Sequence, residues 1–237
     1  MFFRLLVNAG LLFPSVTLAF TLITSNMKGW DKDEVKFFLN PADCSVSAGR
    51  IEEAIEHAVN LWNSVPNSRL KAAYFGQTSN TGRAPDPVIS CVTSGIEGAV
   101  GVGIIATASG VIQTGEIQLN SIPDDIGNIA VTTDAQLDIA LAHEMGHVFG
   151  LGHSTVESSL MYYALGSKEH LSLSQDDIDG MTWLYPRNEP GDGFLGCGSL
   201  GGGGGSGPGG PLLWVLAAAG WITLAMRLRD KLLPARV

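Results

Sequence analysis

Positive charge is scarce in this chain, with 14 Lys and Arg against 23 Asp and Glu among 237 residues. Between residues 31 and 193 the imbalance sharpens to 22 acidic side chains against 8 basic ones, an excess of 14 negative charges. Such a surface repels a phosphate backbone, which argues against nucleic acid as a partner. Cysteine is also scarce, at three residues. Cys44 and Cys91 are the two inside this central region, and in an exported protein an even pair is most simply a disulfide; two buried thiols are the alternative. Cys197 is the odd one left over. There is no internal repeat, and the length suffices for one sizeable domain with a proper core or for two small ones. Histidine is the last scarcity, with five in all. Three of the five fall within eleven residues.

The two longest uncharged runs lie towards the ends. Residues 1–20, MFFRLLVNAGLLFPSVTLAF, carry one early charge, Arg4, and then an apolar run that closes on small residues around Ala19. That is the layout of an export signal, the alternative being a buried first strand. Asn8 and Pro14 interrupt the run and disfavour a spanning helix. Residues 189–210 hold a glycine-rich linker, and residues 211–237 an apolar stretch followed by Arg227, Arg229, Lys231 and Arg236. Sixteen helical residues reach roughly 24 Å, slightly short of a bilayer core, and snorkelling basic side chains can close the gap. This end resembles the C-terminal sorting signals of bacterial envelope proteins, which implies contact with the membrane or the sorting machinery and a surface or extracellular location. Whether the segment anchors the protein or is cleaved to release it stays open.

Between the ends, EVKFFLN reads as a strand. RIEEAIEHAVNLWNS places Ile51, Ile55, Ala58, Val59 and Trp62 on one helical face, with His57 on or near the polar side. LKAAYFG, GVGIIATAS and GEIQLNS read as further strands separated by glycine-rich turns. Thr133 with Gln136 forms a capping-box pattern that opens a helix running to Gly150, and Ser174 with Asp177 opens a last helix closed by Pro186. Strand, helix, several strands and then helices make an α+β layout with helices packed on a sheet.

The three crowded histidines lie in HEMGHVFGLGH, residues 143–153. Positions i and i+4 of a helix share a face, so His143 and His147 can point at one ion. Glu144 is rotated by about 100° from that pair; it is poorly placed as a ligand but can reach a water on the metal. A turn at Gly150 brings His153 back as a third nitrogen. Three neutral nitrogens leave a fourth position open, the mark of a catalytic zinc. A bare H-E-x-x-H occurs by chance in ordinary helices; the spaced glycine and third histidine remove most of that ambiguity.

H-E-x-x-H-x-x-G-x-x-H is the metzincin signature, and the chain resembles that family over residues 31–188. SSLMYY looks like its Met-turn, with Met161 as an apolar floor beneath the metal, although a methionine by itself is more often core filler. LSLSQDDIDGMTWLYP is similar to the last helix of matrixins, the matrix-metalloproteinase branch, and IIATAS to their substrate-pairing strand. The resemblance implies a twisted, mostly parallel sheet with an antiparallel edge strand, packed on two long helices, plus a C-terminal helix. It implies a monomeric zinc endopeptidase with Glu144 as general base, a protein or peptide substrate lying along residues 104–108, and a pocket for the residue after the cut lined by residues 162–171.

Three departures qualify this. Thr107 and Gln118 stand where matrixins place histidines of a second zinc, so no structural zinc is expected; a calcium ion could remain, with ligands the sequence does not identify. Tyr163 follows the methionine by two, similar to the astacin and serralysin branches, where that tyrosine binds metal and steadies the reacting carbonyl; the alternative is a residue packed in the pocket wall. No cysteine lies between Ala19 and the first strand, so a cysteine-switch pro-segment does not fit there. His170 falls on the pocket loop or surface without a role. Two rivals to the protease reading are a catalytically silent zinc-binding adhesion module and a zinc hydrolase with a non-peptide substrate.

Overall fold

The computed structural model describes residues 20–187. The expected export signal up to Ala19, Cys197, the glycine-rich linker and the apolar C-terminal segment lie outside the described residues. Among those described, no helix is long and apolar enough to cross a membrane.

The elements run β1 (Gly29–Trp30), β2 (Glu34–Asn40), α1 (Ala48–Asn63), β3 (Lys71–Gln77), β4 (Val88–Val92), β5 (Gly101–Ala108), β6 (Val111–Asn120), α2 (Asp134–Val148) and α3 (Gln175–Leu184). A single 3-10 turn covers Leu165–Ser167. The strands form one sheet in which β1, β4, β2 and β3 are all joined through parallel pairs, and β5 pairs antiparallel with β6. Within the sheet β5 pairs with β6 alone, so it is an edge strand. The α+β reading, with a mostly parallel sheet and an antiparallel edge, is the architecture observed.

Local sequence accounts for most of these elements. Ile51, Ala54, Ile55, Ala58, Val59 and Trp62 are buried along one face of α1. Both expected capping boxes are formed, at Thr133–Gln136 and at Ser174–Asp177, each satisfying amide groups that the first helical turn leaves unpaired. Two strands escape the sequence pattern. β4 is a short apolar run without clean alternation, and β1 is two residues long; both are formed by their pairing with β6. Residues upstream of 31 also pack onto the domain, with Met27 and Trp30 buried in the core.

Helix α2 is buried almost all round rather than on one stripe. It lies between α1, the sheet and the loops that follow it, a setting usual for a central helix. Distant side chains donate to its carbonyls, one inside the helix and two at its enclosed end. Trp62 Nε1 donates to Ala142 O at 2.8 Å, Trp30 Nε1 to Val148 O at 2.9 Å, and Tyr185 Oη to Phe149 O at 2.6 Å. Cys44 and Cys91 are disulfide-bonded, tying the segment after β2 to β4.

Candidate active site

His143 and Glu144 are buried on α2, and His147 follows one turn later. The helix ends at Phe149, and Gly150 takes a φ of 102°, a left-handed conformation that favours glycine and reverses the chain. The reversal brings His153 back onto the other two. The ring centroids stand 4.7, 5.3 and 4.8 Å apart for the pairs 143–147, 143–153 and 147–153. One ligand nitrogen from each ring lies within 4.8 Å of the others.

Each helical histidine has one ring nitrogen tied to a backbone carbonyl. His143 Nδ1 lies 2.7 Å from Leu160 O, and His147 Nδ1 lies 2.8 Å from Leu151 O. In the neutral tautomer these nitrogens donate, leaving each Nε2 lone pair free; such outer contacts fix ring orientation around a metal. His147 Nε2 and His153 Nε2 are 3.2 Å apart. Two nitrogens bound tetrahedrally to one zinc at ordinary bond lengths stand about 3.3 Å apart. Burial, then the neighbouring His147, bring the His143 imidazole down to about 4, and burial lowers His147 as well. The rings therefore stay neutral, the form that binds metal. The donor set and its spacing fit zinc.

Glu144, the next residue on α2, faces β5 and lines the same cleft as the histidines. Its Oε2 accepts the Gly103 N–H of β5 at 2.6 Å. Burial pushes its carboxyl up to about 8, against that amide, which pulls it down.

Met161 is buried against α2, and a methyl group added to Gly146 would collide with its Sδ. The glycine inside the histidine motif is thus what lets the methionine approach the helix so closely. The turn carrying Met161 hangs from Asp177. That carboxylate accepts from the amides of Leu160 at 2.8 Å and Met161 at 3.0 Å, and from Ser159 Oγ at 2.5 Å. Because Leu160 in turn receives the His143 ring, Asp177 links the last helix to a candidate ligand. Sequence reasoning found Asp177 only as a helix cap, three residues from Ser174; its second task acts across 16 to 18 residues.

The cleft above the histidines has a volume of about 570 Å³. Tyr163 lines it and is 67% exposed, its ring 4.5 Å from that of Tyr162. On the sheet side the lining comes from residues 98–103, upstream of the 104–108 stretch expected to meet substrate, because the side-chain-free Gly101 and Gly103 bring that part of β5 closest to Glu144. A second cavity of about 330 Å³ shares Val100, Ala140 and Leu165 with the cleft and continues it between α2 and the loop after Met161. His57 is on the surface, paired with Asp138 at 2.8 Å, and His170 is exposed.

The Matrixin family model matches residues 92–186. The chain is similar to metalloendoproteinase 5-MMP of Arabidopsis thaliana, 41% identical over 83 residues, which are 35% of this chain and 21% of that protein. It is also similar to interstitial collagenase of Bos taurus, 28% identical over 176 residues, or 71% of this chain and 35% of that protein. With neutrophil collagenase of Homo sapiens it is 25% identical over 180 residues, 70% of this chain and 35% of that protein. The chain thus spans between about a fifth and about a third of the length of these curated relatives. The mostly parallel sheet and its helices are consistent with a matrixin-like catalytic domain.

Proposed function

We propose that this chain is a zinc-dependent endopeptidase, exported or held at the cell surface, with His143, His147 and His153 as metal ligands and Glu144 as general base. The observation that carries the reading is the buried carboxyl of Glu144 beside three imidazoles that converge on one point. A zinc ion held by His143, His147 and His153 would supply Lewis acidity, lowering the pKa of a water and favouring the carboxylate form of Glu144.

The Gly103 amide holds Oε2 of Glu144 in place, leaving Oε1 for the proton. The carboxylate takes a proton from the water that attacks the peptide carbonyl and passes it to the amide nitrogen as the C–N bond breaks. The net change is addition of one water across the bond. Tyr163, on the cleft wall, donates its phenol proton in a hydrogen bond to the carbonyl oxygen as charge develops there. An extended peptide adds to the free edge of β5, main chain to main chain. Its residue after the cut enters the second cavity, whose walls include Val100, Ile139, Ala140 and Leu165 and which therefore suits an apolar side chain.

A silent adhesion module needs no buried general base, and a non-peptide hydrolase needs no open strand beside its metal. The test is paired. Wild type and Glu144→Ala should both hold about one zinc, and only wild type should cut denatured protein internally. The variant should be slower by roughly a factor of a thousand. Equal cleavage by both forms would remove Glu144 from the mechanism.

A further inference from the structure

The loop that joins α2 to the Met161 turn carries His153, and its Leu151 carbonyl receives the His147 ring. Two of the three candidate ligands therefore depend on where residues 150–153 sit. A segment about 130 residues upstream is laid against this loop. Leu22 bridges Leu151 in antiparallel register, Ile23 N donates to Gly150 O at 3.1 Å, and Gly152 N donates to Thr21 O at 2.9 Å. The Thr21 hydroxyl donates to the backbone carbonyl of His153 itself, at 2.5 Å.

The segment is secured on both sides of these contacts. The Phe20 ring packs on Trp183 of α3 at 6.0 Å between centroids, and Lys28 N donates to Gly110 O in the β5–β6 turn at 2.8 Å. Ile23 lines the catalytic cleft. Nothing in the histidine motif encodes this arrangement.

We infer that residues 20–23 are a positioning strap for the metal centre, with Thr21 as its principal contact. By holding the 150–153 loop from outside, the strap fixes the His153 ring and the carbonyl that orients His147, and so sets metal affinity. Thr21 touches neither substrate nor metal and acts through the ligands alone. The inference rests on the reading of the three histidines as a zinc site.

The test uses the full chain, with zinc affinity measured by competition against a chromophoric chelator and ligand geometry by the visible spectrum of the cobalt form. Thr21→Val keeps the shape and removes the hydroxyl. It should bind zinc roughly tenfold more weakly, with an altered cobalt spectrum. The melting temperature of its metal-free form should stay within about 2 °C of wild type. Thr21→Ser restores the hydroxyl and should recover both affinity and spectrum. Ile23→Pro removes the other donor, to Gly150 O, and should weaken zinc independently. The strap is overturned if Thr21→Val and Ile23→Pro bind zinc as wild type does with an unchanged cobalt spectrum. It is equally overturned if weakened binding merely tracks a loss of metal-free stability, or if Thr21→Ser fails to recover it. Wild type that takes up no zinc would overturn the metal-site reading first, and the strap with it.

Discussion

The region around β2, α1 and β4 and the region around α2 and the Met161 turn are buried to similar depth with different materials. The first is apolar: Phe37, Leu39, Ile51, Ile55, Trp62 and Ile89 fill it, and a disulfide closes its edge. The second buries His143, Glu144, Ser154, Ser159, Asp176 and Asp177 among its hydrophobic side chains. Buried polar groups are tolerable only when paired, and here each pairing also orients something else. Among the described residues one buried side-chain atom, Asp176 Oδ1, has no hydrogen-bond partner. Damage to the first region should therefore change stability alone, whereas damage to the second should change chemistry as well.

Asp177→Ala draws the contrast most strongly. It strands the buried amide of Leu160 and the Ser159 hydroxyl and removes one of the two acceptors of the Met161 amide, for an expected loss of about 4 kcal/mol in denaturant unfolding. Zinc affinity should fall too, because Leu160 orients His143. In the apolar region, replacing Cys44 and Cys91 together by Ala opens a link spanning 47 residues. The expected loss there is about 3 kcal/mol, with zinc affinity unchanged. If zinc affinity fell in parallel with stability in the disulfide variant, the two regions would not be separable in this way.

The third prediction concerns pH. Glu144 is raised by burial from 4.5 to about 8, so across that window the folded, metal-free protein holds a proton that the unfolded chain has released. Metal-free stability attributable to this group is present at low pH and is lost as pH rises towards 8. Glu144→Gln removes the dependence. Without metal it should be more stable than wild type by a few kcal/mol at pH 8, the advantage vanishing near pH 4.5. Thermal unfolding across that range checks the sign. The smallest effect belongs to Tyr163, whose ring is mostly exposed. Tyr163→Phe should lower kcat roughly tenfold with KM and zinc content unchanged, and an unchanged kcat would leave the ring as cleft wall.

The same contrast explains what the sequence made legible. The histidine spacing, the turn at Gly150, both capping boxes and the apolar face of α1 are local patterns, and each is present where its pattern placed it. The supports of the site are not local. Trp30 N donates to Tyr185 Oη across 155 positions, and Thr21 Oγ1 to His153 O across 132. No periodicity records such contacts. β4 was illegible for the same reason, since five residues, VISCV, become a strand only between β2 and β6. The lining of the cleft by residues 98–103 depends on how closely glycine lets β5 approach α2, which strand pattern does not encode.

The most direct test of the account is to load the full chain with zinc, strip it with a chelator and reload it, measuring metal content and cleavage of a denatured protein at each stage. The account predicts about one zinc per chain, internal cuts when loaded, none when stripped, and recovery on reloading. A loaded chain that holds its zinc and leaves the substrate whole would contradict it.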